Sequence, residues 1–337
     1  MSKDNTIFIG EHNSFRERNR RSGGYLLKRR AKEISVSVIR ALLMFGLCFM
    51  IISPMISRLS MALMDEKDLY DTTIVLLPRN VTLDNFSAVA RATSLPGSMI
   101  NTLWISILSS ICQIVSCTLV AYGFARYEFP LKKLWFACVV ALIIIPPQTI
   151  QSALYRTFTR FDFLGIVSLF NNGETLNIRK SIWPYLLMCL TCMGLKDGLY
   201  IYMLRQYFKN VPESLEEAAY VDGCGTMHTF VKIMLPDAVP IIASCFLFSF
   251  VWQWTDLFYS RNFLSGYTLY APQLSSMLDR IDVELSAMRG TPVTSSPARQ
   301  LQLLSVGVLF CCIPLIILYC FTQRTFVESL AMTGSKE

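Results

Sequence analysis

Charge is scarce in this sequence. Charged residues make up 16% of its 337 residues, whereas soluble globular proteins carry about 25%. Hydrophobic residues make up 53% and gather in long runs with few charges. Few charges and long apolar runs together exclude an ordinary soluble domain and predict an integral membrane protein.

Several chemical signatures are also missing. The sequence has no Gly-Lys dipeptide, so it cannot form the Walker A loop that holds nucleotide phosphates. Its two histidines, His12 and His228, have no Cys, Asp or Glu at metal-ligand spacing. It has no Gly-x-Ser-x-Gly stretch and no convincing pair of carboxylates within one apolar run. We therefore expect no enzymatic activity in this chain, and neither a metal ion nor a cofactor.

What the sequence does contain is six apolar runs that approach the length of a membrane span, for which about 20 residues are needed. They centre on Val36–Ile56, Ser98–Phe124, Leu134–Ile150, Ile182–Met203, Pro240–Tyr259 and Leu301–Phe321. We expect the third run, interrupted by Pro146-Pro147, to extend through residues 148–153. The predicted fold class is all-α: a polytopic membrane protein with six transmembrane helices.

Basic residues predict the orientation. Residues 1–35 form a leader rich in Lys and Arg, which the positive-inside rule places in the cytoplasm. Such a basic arm could also bind nucleic acid, but we expect no nucleic-acid partner. We interpret the first run as a retained helix in contact with membrane lipid rather than a cleaved signal peptide. Residues 36–321 would form the membrane domain and residues 322–337 a cytoplasmic tail. The loop of residues 205–239 would also be cytoplasmic.

That loop contains the polar stretch EEAAYVDGCGTMHTFVKIMLPDAVP, residues 216–240. Pro212 or Ser214 can begin a first helix, and Gly223 can end it. A second helix is predicted from Thr226 to a stop at Pro236. Its apolar stripe would comprise Met227, Phe230, Val231 and Met234. By periodicity alone, this pair of helices is also typical of an amphipathic hairpin lying on the membrane surface.

A resemblance favours another role for the loop. Its motif residues fit the pattern EAA-x3-G-x9-I-x-L-P, which is typical of permease subunits of bacterial ABC importers. The residues that carry the match are Glu217, Ala218, Ala219, Asp222, Gly223, Phe230, Ile233, Leu235 and Pro236. Asp222 and Phe230, together with Pro240, extend the match to the carbohydrate-uptake branch. The stretches AYGFARYEFPLKK, WQWTDLF and QRTFVESLAMTGSK also resemble the family, and the likeness runs from Asn85 onward. The chain is similar to the second permease subunit of maltose-type systems.

The resemblance implies a multi-pass protein of a bacterial cytoplasmic membrane with both termini in the cytoplasm. It also implies four kinds of partner: a second permease subunit in a heterodimer, two ABC ATPase subunits, an extracytoplasmic solute-binding protein and a sugar. ATP hydrolysis would belong to the ATPase subunits, and the motif residues of the loop would contact them.

Polar and aromatic side chains within the runs are candidates for the substrate path. They are Asn101, Gln148, Lys196, Asp197, Trp252, Trp254 and Asp256. A charge at the bilayer centre costs about 2.5–3.5 kcal/mol on insertion scales, so Lys196 and Asp197 should face protein or water. Their side chains are equally suited to a structural contact between two helices. Trp254 is suited to stacking on a pyranose ring, although tryptophans are also typical of the membrane interface.

Two alternatives remain open at this point. An importer of peptides or amino acids would need fixed charges for its substrate, which Lys196 and Asp197 could supply. An ion-coupled secondary transporter would operate without an ATPase and is typically built from inverted repeats. The two halves of this sequence contain no convincing repeat.

Overall fold

The computed structural model describes residues 23, 25–71, 73, 77–162, 165–170, 173–179 and 181–334, and for residues 26, 27 and 324–334 it describes the backbone alone. Most of the predicted basic leader lies outside these residues. Within them, helices dominate, and the β-structure consists of two isolated bridges, Met64–Val81 and Phe161–Leu176. The prediction of a mainly helical protein is confirmed.

The helices are numbered here in chain order. They are α1 (Tyr25–Leu63), α2 (Asp84–Ala92), α3 (Leu95–Arg126), α4 (Lys132–Ile144), α5 (Gln151–Thr159), α6 (Ile166–Phe170), α7 (Trp183–Leu190), α8 (Asp197–Asn210), α9 (Ser214–Val221), α10 (Thr226–Asp237), α11 (Val239–Thr255), α12 (Phe258–Phe263), α13 (Tyr270–Ser275), α14 (Met277–Arg289) and α15 (Pro297–Gly334). Short 3-10 turns occupy Glu66–Tyr70 and Pro147–Ile150.

The chain divides into two units, Met1–Ser60 and Met61–Glu337. The described part of the first unit is mostly the helix α1, which continues without interruption through Pro54. The rings of Phe45 and Phe49 stack along this helix with their centroids 6.5 Å apart. The second unit holds all the other helices and the sites described below.

Among the described residues, three helical segments are each long and apolar enough to cross a membrane: Lys28–Leu63, Leu95–Arg126 and Pro297–Gln323. Two bent pairs raise the number to as many as five. They are Lys132–Ile144 with Pro147–Thr159, bent by 104°, and Thr226–Asp237 with Val239–Thr255, bent by 74°. Several apolar helices are thus present, as predicted, while the count of six spans stays a prediction.

The third predicted span does not continue straight through residues 148–153. The helix α4 ends at Ile144, and the chain turns through Pro146 and Pro147 before α5 begins. Proline has no backbone N–H to donate, and it disfavours helical geometry in the residue before it. Two successive prolines therefore replace the expected extension with a bend.

The fourth predicted span, Ile182–Met203, is broken in the middle. Helix α7 ends at Leu190 and α8 begins at Asp197, with Cys192 and Lys196 in left-handed backbone conformations between them at φ values of 57° and 68°. The Asp197 carboxylate accepts a hydrogen bond from the Gly194 N–H at 2.5 Å, which satisfies one backbone donor that the break exposes. The break therefore places a short non-helical segment within an apolar run.

The core beside the predicted cytoplasmic loop joins α3, α8, α10 and α11. Its large buried side chains include Tyr122, Tyr200, Phe208, Phe230 and Met234. Fully burying a large apolar side chain contributes about 1.5–3 kcal/mol relative to exposing it. This cluster therefore holds the loop firmly against the ends of three longer helices.

Candidate functional site

The first helix of the loop, α9, ends as the sequence predicts. Gly223 follows it with a left-handed φ of 83°. The Cys224 N–H donates to the Ala219 carbonyl at 2.9 Å, and the Gly223 N–H donates to the Tyr220 carbonyl at 3.0 Å. These two bonds form a Schellman motif, in which glycine is favoured because it has no Cβ. The turn between the two loop helices is thus fixed by backbone geometry.

One face of the loop is apolar and exposed. The exposed fraction is 42% for Leu215, 87% for Val221 and 68% for Met227. Glu217 and Ala218 are exposed beside them. Because exposed apolar side chains that lie together are typical of contact surfaces, this part of the loop is suited to a protein partner.

The opposite face is buried. Ala219 is 4% exposed and Phe230 6% exposed. The Phe230 ring lies 4.6 Å from the ring of Tyr122, centroid to centroid. The other predicted coupling residues lie between the two faces or on the surface: Ile233 and Leu235 are half-buried, and Asp222 and Pro236 are exposed. All nine predicted coupling residues therefore belong to one compact loop, with Phe230 and Ala219 packed inward.

The predicted apolar stripe of α10 was wrong in part. Phe230 and Met234 are buried, whereas Met227 and Val231 are exposed. The helix is also irregular here: a π-helical turn covers Phe230–Met234, in which the Leu235 N–H donates to the Phe230 carbonyl five residues back. This wider turn changes the angular register of the side chains along the helix.

The predicted stop at Pro236 was also wrong in detail. The helix α10 continues to Asp237, and the chain bends at Ala238 before α11. Pro236 has no backbone N–H and cannot donate to a carbonyl of the preceding turn, which is consistent with the irregular hydrogen bonding just before it.

A hydrogen bond joins the end of α10 to α8: the Tyr207 hydroxyl donates to the Asp237 carbonyl at 2.7 Å. Burial, together with the hydrogen bond to Asp237 and the charge of that residue, raises the pKa of Tyr207 to about 12. The phenol therefore remains a hydrogen-bond donor at neutral pH.

A buried ion pair under the loop was missed by the sequence reasoning. The Arg126 Nε donates to Glu216 Oε1 at 3.1 Å, and the two side chains are 7% and 9% exposed. Arg126 also donates to the Val211 carbonyl at 2.9 Å, and the Tyr122 hydroxyl donates to Glu216 Oε1 at 3.0 Å. The C-terminal end of α3 is thereby bound to the first turn of α9. The one available signal in the sequence was the basic Arg126 itself, within the stretch AYGFARYEFPLKK.

A cavity of about 660 Å³ lies beside the break between α7 and α8. It is lined by the ends of α4, α8 and α11 and by the segments that follow α4 and α11. Five of the seven predicted path residues line it: Gln148, Lys196, Asp197, Trp252 and Asp256. Residues from distant parts of the sequence thus meet at one site, which makes the cavity the candidate substrate path.

Lys196 and Trp252 form the polar edge of the cavity. The Lys196 Nζ lies 5.0 Å from the centroid of the Trp252 ring, within the range of a cation–π interaction. The Trp252 side chain remains 45% exposed. Asp197, 2% exposed, instead accepts a short hydrogen bond from Gln113 Nε2.

Gln113 connects the broken span to its neighbours. Its Nε2 also donates to the Leu195 carbonyl at 2.7 Å. Its Oε1 accepts hydrogen bonds from Ser249 Oγ at 2.5 Å and from Gln253 Nε2 at 3.0 Å. Every polar atom of this buried amide is therefore paired, and α3, α8 and α11 are held together at the level of the cavity.

The structure does not bring the other two predicted path residues to the cavity. Asn101 Nδ2 donates to the Thr268 carbonyl at 3.1 Å. Trp254 is 1% exposed, and its Nε1 donates to the Cys311 carbonyl of α15 at 3.1 Å. Trp252 is therefore the tryptophan of this pair that lines the cavity. Among the described residues, no group of three or more His, Cys, Asp or Glu side chains is placed to hold a metal ion.

Comparisons with known proteins agree with this architecture. The osmoprotective compounds uptake permease protein GgtD of Synechocystis is 30% identical over 253 residues, which are 75% of this chain and 74% of that protein. The melibiose/raffinose/stachyose import permease protein MelC of Bacillus subtilis is 28% identical over 261 residues, 77% of this chain and 83% of that protein.

A solved structure shares the fold. The crystal structure of a bacterial ABC transporter involved in the import of the acidic polysaccharide alginate contains a chain that matches with a TM-score of 0.63 and 16% identity. The match covers 88% of this chain and 98% of that one. A family model described as "binding-protein-dependent transport system inner membrane component" matches residues 114–330. This match confirms the resemblance noted in the loop motif, and the chain belongs to the family of inner-membrane components of binding-protein-dependent transport systems.

Proposed function

We propose that this chain is a permease subunit of an ATP-driven importer of sugars or oligosaccharides. The observation that carries the proposal is the two-helix loop of α9 and α10. Its outer face exposes Leu215, Ala218, Val221 and Met227, while its inner face is bound to α3 through Glu216. A rigid element with an exposed apolar face is what an external ATPase subunit needs in order to move the membrane helices.

The same loop is continuous with two walls of the cavity. Helix α8 runs into the loop, and its first residues, with Lys196, line the cavity; its 14 residues span about 21 Å. Helix α11 leaves the loop, and its far end carries Trp252. Movement of the loop by closure of two ATPase subunits would therefore shift both walls together, and alternating access would follow from this hinge-like motion.

We further propose that Glu217, exposed on α9, pairs with a basic residue of the ATPase subunit. A second permease subunit would complete the path, and a solute-binding protein would deliver substrate from outside. These partners are supported by the family, whose members work with a binding protein. In this arrangement, both termini and the loop lie in the cytoplasm.

A sugar suits the cavity chemically. The exposed Trp252 ring offers an apolar face to the C–H groups of a pyranose, and Gln148 and Thr255 offer hydrogen-bonding groups to its hydroxyls. The name of the relative MelC, which refers to melibiose, raffinose and stachyose, supports a saccharide substrate.

The test is ATP hydrolysis by the reconstituted complex with its own solute-binding protein. Mono- and oligosaccharides, amino acids and short peptides are offered in turn. We expect a saccharide to stimulate hydrolysis, and Trp252→Ala to reduce that stimulation about tenfold, because stacking on an aromatic ring is lost.

Three outcomes would contradict parts of the proposal. Stimulation by a peptide or amino acid alone would keep the ATP-driven importer and overturn the sugar. Uptake driven by an ion gradient without ATP would replace the importer with a secondary transporter. If a saccharide stimulates ATP hydrolysis fully in the Trp252→Ala complex, the cavity is not part of the substrate path.

Orientation has a separate test, made with single cysteines in a chain whose other cysteines are replaced. Residue 283 lies between the fifth and sixth predicted spans, which the predicted topology places outside the cell. A membrane-impermeant maleimide applied to intact cells should therefore label a cysteine at Val283, which is 68% exposed on α14. It should miss Cys224, in the loop, until the cells are permeabilised. Labelling of Cys224 in intact cells would reverse the predicted topology.

A further inference from the structure

Lys196 is a cation that faces the cavity. Its backbone has a φ of 68°, immediately before α8, and its half-buried side chain lies over the Trp252 ring. Within the described residues, no Asp or Glu oxygen lies within 4.0 Å of its Nζ. A cationic side chain within a membrane span is costly and is usually kept for a functional partner.

The two carboxylates in the cavity wall are engaged elsewhere. Asp197 accepts hydrogen bonds from Gln113 Nε2 and the Gly194 N–H. Asp256 accepts from the Ser260 N–H at 2.7 Å and from the Ser260 hydroxyl at 3.0 Å. Both carboxylates are nearly buried, with exposed fractions of 2% and 8%. Their oxygens therefore accept hydrogen bonds from protein donors. The N–H groups of the Lys196 ammonium can instead donate to a ligand in the cavity.

The cavity thus combines an exposed aromatic ring with an ammonium that has no carboxylate partner among the described residues. The remaining lining is largely apolar, from residues 142–147 and 192–195. An ammonium in surroundings of low polarity pairs strongly with an anion, because little water competes for either charge. The Trp252 ring beside it offers the face on which a sugar ring packs.

We propose that the cavity selects anionic saccharides: a carboxylate or sulfate on the sugar would pair with Lys196 Nζ while a sugar ring packs against Trp252. This inference rests on the proposed function, since it names the substrate class of the same path. The other source of an anion for Lys196 is a carboxylate of a second permease subunit, and the experiment distinguishes the two.

The experiment uses the complete complex of both permease subunits and the ATPase subunits in lipid nanodiscs. Binding of labelled digalacturonate and dimannuronate is measured by equilibrium dialysis, each beside its dimethyl ester, which has the same rings without the charges. The variants are Lys196→Met, Lys196→Arg and, as a matched control, Lys133→Met, which removes an exposed lysine on α4 away from the cavity. ATP hydrolysis with the solute-binding protein and the saccharide panel is measured on the same preparations.

We expect the unaltered complex to bind an acid more tightly than its ester. Lys196→Met should weaken binding of the acid about ten- to hundredfold and leave the ester unchanged, because one charge-assisted interaction is lost. Lys196→Arg should keep most of the preference, and Lys133→Met should behave as the unaltered chain.

Equal binding of acid and ester, with neutral saccharides still stimulating hydrolysis, would overturn the inference and leave the proposed function standing. Stimulation by no saccharide would overturn both. If Lys196→Met prevents assembly with the second permease subunit, while Lys133→Met does not, Lys196 belongs to a subunit contact and the inference is wrong.

Discussion

Gly223→Val is expected to abolish transport while leaving the chain inserted in the membrane. Gly223 has a φ of 83° and closes the Schellman motif at the end of α9. A β-branched residue in this left-handed conformation costs about 1–3 kcal/mol, so the turn between the loop helices would change. Uptake into proteoliposomes should fall at least about tenfold, while the amount of chain in the membrane fraction stays normal.

Two further variants separate backbone strain from added volume. Gly225 has an extended backbone, with φ −76° and ψ 161°, that valine adopts readily. At both glycines, an added Cβ would meet no heavy atom of the described chain within 4 Å, apart from those of the glycine itself and its two chain neighbours. Gly225→Val should therefore retain transport, and Gly223→Asn should retain most of it, because asparagine tolerates the left-handed region.

The pattern of losses identifies the cause. If both Gly223→Val and Gly223→Asn lose transport, the ATPase subunit approaches this position too closely for any side chain. Normal transport by Gly223→Val would contradict the coupling role of the loop.

The loop could be predicted because its signals are local. A helix start at Pro212 or Ser214, a glycine at the C-terminal end of α9 and a motif with fixed spacing all lie within about 25 residues, and each has a short-range cause. The π-turn in α10 has no such signature. Periodicity also did not show that Met227 and Val231 are exposed while Phe230 and Met234 are buried. Helical periodicity assumes regular hydrogen bonding, which this segment does not have.

The cavity could be predicted only in part. Sequence reasoning selected Lys196 and Asp197 because charges interrupt an apolar run, and the structure places both at the cavity. It named Trp254 as the ring suited to stacking on a sugar, whereas the structure buries Trp254 and places Trp252 at the cavity. Helix α11 is apolar all round, so its sequence does not indicate which face lies inward. The break before Asp197 depends on Gln113, which lies 84 residues away in the sequence.

The second large effect is expected at the ion pair between Arg126 and Glu216. Both side chains are less than a tenth exposed, and Arg126 also holds the Val211 carbonyl at 2.9 Å. Replacing one partner of a buried pair leaves the other charge uncompensated, which costs about 3–5 kcal/mol. Glu216→Ala and Arg126→Ala should therefore loosen α9 from α3.

We expect Glu216→Ala to lower transport by more than about tenfold. ATP hydrolysis should continue but lose its dependence on the loaded solute-binding protein, because the ATPase could then close without moving α3. The measurement is the ratio of hydrolysis with and without loaded binding protein, beside uptake into the same proteoliposomes. A merely unstable chain would instead lose basal hydrolysis and subunit content together.

Glu213 supplies the matched control. It lies 4.0 Å from the Arg126 guanidinium but is 82% exposed, so this surface pair contributes about 0–1 kcal/mol. Glu213→Ala should therefore leave uptake within about twofold of the unaltered complex. Glu216→Gln keeps an acceptor for the Tyr122 hydroxyl but removes the charge. Its uptake should therefore lie between that of Glu213→Ala and that of Glu216→Ala. If Glu213→Ala and Glu216→Ala reduce coupling equally, the force does not pass through the buried pair. The contact of Phe230 with Tyr122 and the hydrogen bond from Arg126 to the Val211 carbonyl would then be the next connections between the loop and α3 to test.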